Sequence, residues 1–195
     1  MREVQAGVWH WEAPHPDWKP GEDWGRAVSS YAIDDGERLL VFDPLAAPPE
    51  LEELARERET AIVLTCPWHH RDGEELAPAW GAPLYRPPLD EGDDNPFPAE
   101  EFRAGGTLPV GVEAFPGLER NDLLLWVESR RALVAGDTLI DRGNGLEFPV
   151  EWAREGSQPE TIRESLLPLL DLPVELVLAT HGGPFDRAAL ERALS

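Results

Sequence analysis

Four short stretches of this 195-residue chain put chemistry-bearing side chains directly after apolar runs. Asp43 follows Leu39-Leu40-Val41-Phe42, and Thr65-Cys66-Pro67-Trp68-His69-His70-Arg71-Asp72 follows Ala61-Ile62-Val63-Leu64. Gly136-Asp137 follows Ala132-Leu133-Val134-Ala135, and His181-Gly182 follows Val177-Leu178-Ala179-Thr180. In α/β proteins, strand ends are where sites are built. Carboxylates, imidazoles and a thiol are donors for a cation such as zinc and groups for proton transfer. Asp137 and His181 carry the strongest signal, because each follows an apolar strand and has a glycine beside it that lets another backbone approach closely. His69 and His70 are adjacent, and neighbouring side chains do not share a helical face, so at most one aims at a common metal. Cys66 reads either as an inert buried thiol or as a ligand or nucleophile. Asp43 before Pro44 reads as a turn former, and Asp72, three residues before Glu75, as a helix N-cap.

The elements that must position these groups alternate between strands and helices. Strands are expected at Val4 to Trp11, Val28 to Ile33, Arg38 to Phe42 and Ala61 to Thr65, with a hairpin turn at Asp34-Asp35-Gly36. Further strands are expected at Val110 to Ala114, Leu123 to Val127, Ala132 to Ala135 and Leu176 to Ala179. Pro48-Pro49-Glu50 opens a helix to about Arg58, and Ser157-Gln158-Pro159-Glu160 has the form of a capping box before an apolar stripe of Ile162, Leu166, Leu167, Leu169 and Leu170. Asp186 to Leu194 reads as a last helix, and Pro83 to Gly106 as a short strand and then a long loop. The pattern predicts two sheets covered by helices in a single domain spanning residues 1–195.

The order of these segments resembles the metallo-β-lactamase superfamily, which carries Thr-His-x-His-x-Asp-His after a strand, then a histidine in Pro-Gly-His, a Gly-Asp and a late His-Gly. The likeness runs from Val28 to Gly182 and implies an αββα sandwich of two mixed β-sheets flanked by helices. Asp137 and His181 match outright, and Asp43 takes the place of a structural carboxylate beside the site. Aligned on Thr65, the chain has Cys66, Trp68, His70 and Arg71 where the family has His, His, Asp and His, and Phe115-Pro116-Gly117-Leu118 where it has Pro-Gly-His. The resemblance therefore implies an eroded centre with no two-metal set, because Trp68 and Leu118 cannot ligate and Arg71 is cationic. It gives His70, Asp137 and His181 as ligands, with Cys66 as a candidate fourth, and puts Asp43, Trp68, His69 and Arg71 around the cleft. Trp18 and Trp24 become candidate lid residues, whereas Trp9 and Trp11 are read as core. His15, between Pro14 and Pro16, reaches either the cleft or the surface. If the site holds no metal, Arg71 is read either as pairing with Asp137, with His181 and His70 as hydrogen-bonding neighbours, or as pointing to solvent at the start of its helix.

Composition narrows the partners. A net charge of −21, with Lys19 the only lysine, repels phosphate backbones and anionic headgroups, so neither nucleic acid nor membrane is expected as a partner. One cysteine excludes an internal disulfide and points to a cytoplasmic protein. Two readings of function follow. The first is a hydrolase of a small ester, thioester or lactone that keeps one divalent metal, zinc foremost. The second is a metal-free pseudoenzyme that keeps fold and cleft to bind a small molecule or a partner; an unrelated α/β domain is a third.

Overall fold

The computed structural model describes residues 1–89, 97–153 and 158–195. The first sheet has seven strands in sequence order: β1 (Arg2–Gln5), β2 (Val8–Pro14), β3 (Ala27–Asp34), β4 (Arg38–Phe42), β5 (Glu59–Val63), β6 (Leu84–Arg86) and β7 (Glu100–Glu101). It is antiparallel up to β4 and parallel from β4 to β7. The second sheet is built from β8 (Val112–Pro116), β9 (Leu123–Val127), β10 (Ala132–Val134), β13 (Leu176–Leu178) and β14 (Pro184–Asp186), with β10 and β13 parallel. A small ribbon pairs β11 (Ile140–Asp141) with β12 (Leu146–Glu147). The helices are α1 (Pro49–Glu57), α2 (Gly73–Trp80), α3 (Pro159–Leu166) and α4 (Arg187–Leu194).

Strand periodicity sorts the side chains into layers. Leu40, Phe42, Ala61 and Val63 of the first sheet meet Leu123, Leu125, Val127, Ala132 and Val134 of the second in the central core. Their sequence neighbours Leu39, Val41, Ile62 and Leu64 face outward onto Leu51 and Ala55 of α1 and Ala77 of α2. On the other side Leu124, Trp126, Leu133 and Val177 pack against Leu166 of α3 and Ala189, Leu190 and Leu194 of α4. Each fully buried large aliphatic side chain contributes about 1.5–3 kcal/mol. The result is the expected helix–sheet–sheet–helix sandwich. No helix among the described residues is long and apolar enough to cross a membrane.

Three local expectations are corrected. The stretch from Val4 to Trp11 is two strands, because the chain reverses through Gly7 in the left-handed region and pairs β1 with β2. Ser157 lies outside the described residues; α3 starts at Pro159, its N-cap Gln158 makes no side-chain capping bond, and the apolar stripe continues past Leu166 as a 3-10 helix containing Pro168. Asp72 does stand at the N-cap position of α2, yet its Oδ2 accepts from the Ala46 backbone N–H at 2.6 Å instead of capping the helix.

Candidate metal centre

The groups at the strand ends converge between the two sheets. Behind β4, Asp43 adopts φ +44°, a strained conformation for a non-glycine residue. Its carboxylate over-determines the geometry around it: Oδ1 accepts from Thr65 N at 2.9 Å, and Oδ2 accepts from Thr65 Oγ1 at 2.6 Å and lies 3.3 Å from His69 Nδ1. Pro67–His69 then form one turn of 3-10 helix with Cys66 as its N-cap. Three residues per turn eclipse positions i and i+3, so Cys66 and His69 project on the same side. Both are buried. Ligand atoms of Cys66, His69 and Asp137 all lie within 4.8 Å of one another.

The second sheet supplies the opposing half. Asp137 follows Gly136, whose φ of +55° and surroundings demand glycine: a Cβ there would stand 2.3 Å from Asp122 Oδ1. Asp122 is fully buried, accepts from Thr138 Oγ1 at 2.5 Å and from Asp137 N at 3.1 Å, and so fixes the Asp137 backbone. On the side chain, Asp137 Oδ2 accepts from Trp68 Nε1 at 2.8 Å. Its Oδ1 lies 3.3 Å from both His69 Nε2 and His181 Nε2. Neither contact has hydrogen-bond geometry, which leaves Oδ1 buried without a hydrogen-bond partner. His181, after β13, is packed edge-on by Trp24 and Trp152, with ring centroids 4.9 and 5.5 Å away.

The buried groups of this cluster set one another's charge. Burial is the largest influence on His69 and opposes its cationic form, but the carboxylates of Asp137 and Asp43 together outweigh it and raise the imidazole to about 9. Burial likewise opposes the Asp137 carboxylate, and the imidazoles of His69 and His181 reverse this and hold it well below the usual range. Asp122 is pushed up to about 8 by burial and then by the charge of Asp137. Burial, followed by the charges of Asp137, Asp122 and Asp43, drives the Cys66 thiol well above its ordinary value.

The cluster opens into a cavity of about 490 Å³ whose lining includes Trp24, Trp68, Trp152, Arg71 and His15. Of the two lid candidates, Trp24 lines it and Trp18 braces the loop by donating from Nε1 to Trp24 O at 2.9 Å. Trp11 sits in the core, donating to Leu45 O at 2.8 Å. His15 reaches the cleft and lies edge-on to Trp24, its pKa lowered by burial first and by Arg71 next.

Two expectations about side-chain placement are corrected. His70 is exposed, with its ring 6.2 Å from Phe97, and it is His69 that faces Asp137 and His181. The cause is the phase of the 3-10 turn, which rotates His70 away from the side shared by Cys66 and His69. Arg71 does not pair with Asp137. It takes φ +41° and turns back toward the first sheet, where Nη1 donates to Ser29 O at 3.0 Å and to Asp43 O at 2.8 Å. Leu118 packs into the outer core of the second sheet. Sequence reasoning missed Asp122 and Trp152; the pair Asn121-Asp122 directly before an apolar strand was a usable signal for the first, and the sequence offers none for the second.

Residues 62–181 match the family model of the metallo-beta-lactamase superfamily, and the chain belongs to that superfamily. Solved structures agree on the fold. The chain is similar to the DIM-1 metallo-beta-lactamase, with 15% identity and a TM-score of 0.71 over 98% of this chain and 93% of that one. It is also similar to the metallo-beta-lactamase family protein TTHA1429 from Thermus thermophilus, with 18% identity and a TM-score of 0.67 over 98% and 78%. TTHA1623 in a di-iron-bound form matches at 24% identity and a TM-score of 0.61 over 85% and 93%. A search of curated proteins finds no match.

Members of this superfamily bind divalent metals, and the residues here fit one such ion. Cys66, His69 and Asp137 have ligand atoms that all lie within 4.8 Å of one another, and His181 Nε2 stands 3.3 Å from the same orphaned Asp137 oxygen as His69 Nε2, a spacing that two donors on metal–ligand bonds of roughly 2.0 Å would have. The Cys66 thiol is the fourth donor within reach of His69 and Asp137. Asp43 on His69 Nδ1 is a carboxylate–histidine pair of the kind that would orient a metal-binding imidazole, and it leaves Nε2 directed at Asp137 Oδ1.

Proposed function

We propose that the protein is a hydrolase with one divalent metal, zinc foremost, held by His69, Asp137 and His181 with Cys66 as the fourth ligand, acting on a small ester, thioester or lactone. The observation that carries this reading is the Asp137 Oδ1 atom, buried without a hydrogen-bond partner and 3.3 Å from two imidazole nitrogens. A divalent cation in such a site supplies Lewis acidity, bringing the pKa of water to about 7 and polarising a carbonyl. The chain's own groups hold the geometry. Asp43 and Thr65 fix the His69 ring, Trp68 retains Asp137 Oδ2 so that Oδ1 stays available, and Trp24 and Trp152 clamp His181. The three tryptophans wall a cavity of a size suited to a small ligand. Protein purified without chelator should contain one metal per chain and hydrolyse members of a panel of aryl esters, thioesters and lactones, and His69→Ala should lose both properties. A metal-free preparation that takes up none on reconstitution would sink the reading.

A second reading has its own observation. The His69 imidazolium lies between the Asp43 and Asp137 carboxylates at 3.3 Å from each, so one cation already offsets part of their charge without a metal. In that reading the protein is a binding member of the superfamily, and His69, not Arg71, offsets the charge of Asp137. Zinc would then leave the melting temperature unchanged.

A further inference from the structure

Arg71 lines the same cavity and is only partly used by the fold. Its Nη1 is committed to two backbone carbonyls, Ser29 O and Asp43 O. Nε and Nη2 form the other edge of the guanidinium; both are buried, and neither has a hydrogen-bond partner. No carboxylate among the described residues forms an ion pair with Arg71, although this chain carries 38 acidic residues against 17 basic ones and arginines such as Arg58, Arg86 and Arg142 each meet one. An unpaired guanidinium edge removed from water is costly unless something occupies it. The Nε/Nη2 edge presents two parallel N–H donors, the spacing that matches the two oxygens of a carboxylate.

The acidic residues around the cleft do not cancel this preference. Asp17, Glu22 and Asp23 are exposed at its mouth, where solvent and salt screen them within about 8 Å. Asp23 is moreover held by Arg142 at 3.2 Å and by Trp152 Nε1 at 2.8 Å. Their remaining field weighs more heavily against a doubly charged phosphate than against a singly charged carboxylate.

We infer that Arg71 is a specificity residue whose Nε/Nη2 edge receives a carboxylate of the ligand, seated against the tryptophan walls of the cleft. That the ligand is a substrate, and hence an ester, thioester or lactone bearing a free carboxylate, rests on the hydrolase reading above. The carboxylate preference does not.

The test uses the chelated full-length protein and three probes of one shape: phenylacetate, phenylacetamide and 2-phenylethylamine, with inorganic phosphate as a fourth. Affinities come from calorimetry, and the Arg71 Nε–H resonance is followed by NMR. Phenylacetate should bind roughly tenfold or more tighter than the amide and shift the Arg71 resonance. Arg71→Gln should bring it down to the level of the amide, and Arg71→Lys should recover part of the difference. Equal binding of the three organic probes, preference for the amine or for phosphate, or unchanged phenylacetate binding in Arg71→Gln would each overturn the inference. Should Arg71→Gln fail to fold, the wild-type probe series and the NMR shift still decide. Zinc uptake by the same protein without carboxylate preference removes this inference alone; carboxylate preference without zinc uptake removes the hydrolase reading alone.

Discussion

The two sheets contribute unequal halves to the centre. From the second sheet, Asp137 and His181 come three residues after β10 and β13, each beside a glycine. From the first sheet, Asp43 and Thr65 are just as firmly placed, but the donors come from a one-turn 3-10 helix beyond the strand. A strand end fixes where a side chain goes because the sheet fixes the backbone. A single helical turn fixes it by phase, and one residue of difference exchanges a buried ligand for an exposed ring. His69 and His70 are that pair.

Breaking the anchor of the first half should have the largest effect. Asp43→Ala strands Thr65 N in the interior and leaves Thr65 Oγ1 and His69 Nδ1 only each other, and we expect a loss of about 3–5 kcal/mol by chemical denaturation. A loss under about 1 kcal/mol would mean that the turn stands without it. On the second half, Gly136→Ala forces a Cβ against Asp122 at a positive φ and should cost about 2–4 kcal/mol in the same assay. Together the two variants show whether each half is held as firmly as the other.

The charge state of the cluster gives a third test, performed on chelated protein. His69 has a folded pKa raised to about 9, so its stabilising share is complete below its ordinary value of 6.5 and is lost as pH rises through 9. Asp122, raised from 3.8 to about 8, acts in the same direction, since the folded state retains a proton that the unfolded state has released. Asp137 is depressed, and its contribution changes only at acid pH. The melting temperature of the chelated protein should therefore fall by roughly several degrees between about pH 6.5 and 9. A flat or rising profile in that window would contradict the assignment of charge. The smallest effect belongs to His70→Ala: an exposed ring outside the cavity should change stability by no more than about 0.5 kcal/mol and leave metal uptake intact.

Much of this is legible in the residues themselves. Alternation of inward and outward apolar positions in Leu39 to Phe42 and Leu123 to Val127 is what the two-sheet sandwich requires, and both stretches are strands. The strand-end rule locates Asp43, Asp137 and His181. The phase of the Thr65–Asp72 loop is harder to read, although Cys66 and His69 at i and i+3 around Pro67 hold the information in principle. Arg71 departs from expectation for a different reason. Charge complementarity suggests Asp137 as its partner, whereas a left-handed backbone at Arg71 itself carries the side chain back to the carbonyls of Ser29 and Asp43. Trp152 comes from a 3-10 turn far along the chain, and only the tertiary fold brings it onto His181.

In the hydrolase reading, both halves close on a single ion through His69. Titrating chelated wild-type protein with zinc and counting bound metal by native mass spectrometry tests this most directly, with His69→Ala and His70→Ala alongside. The expected result is one zinc per chain in the wild type and in His70→Ala, and none in His69→Ala. No zinc in the wild type, two zincs per chain, or dependence on His70 in place of His69 would contradict it.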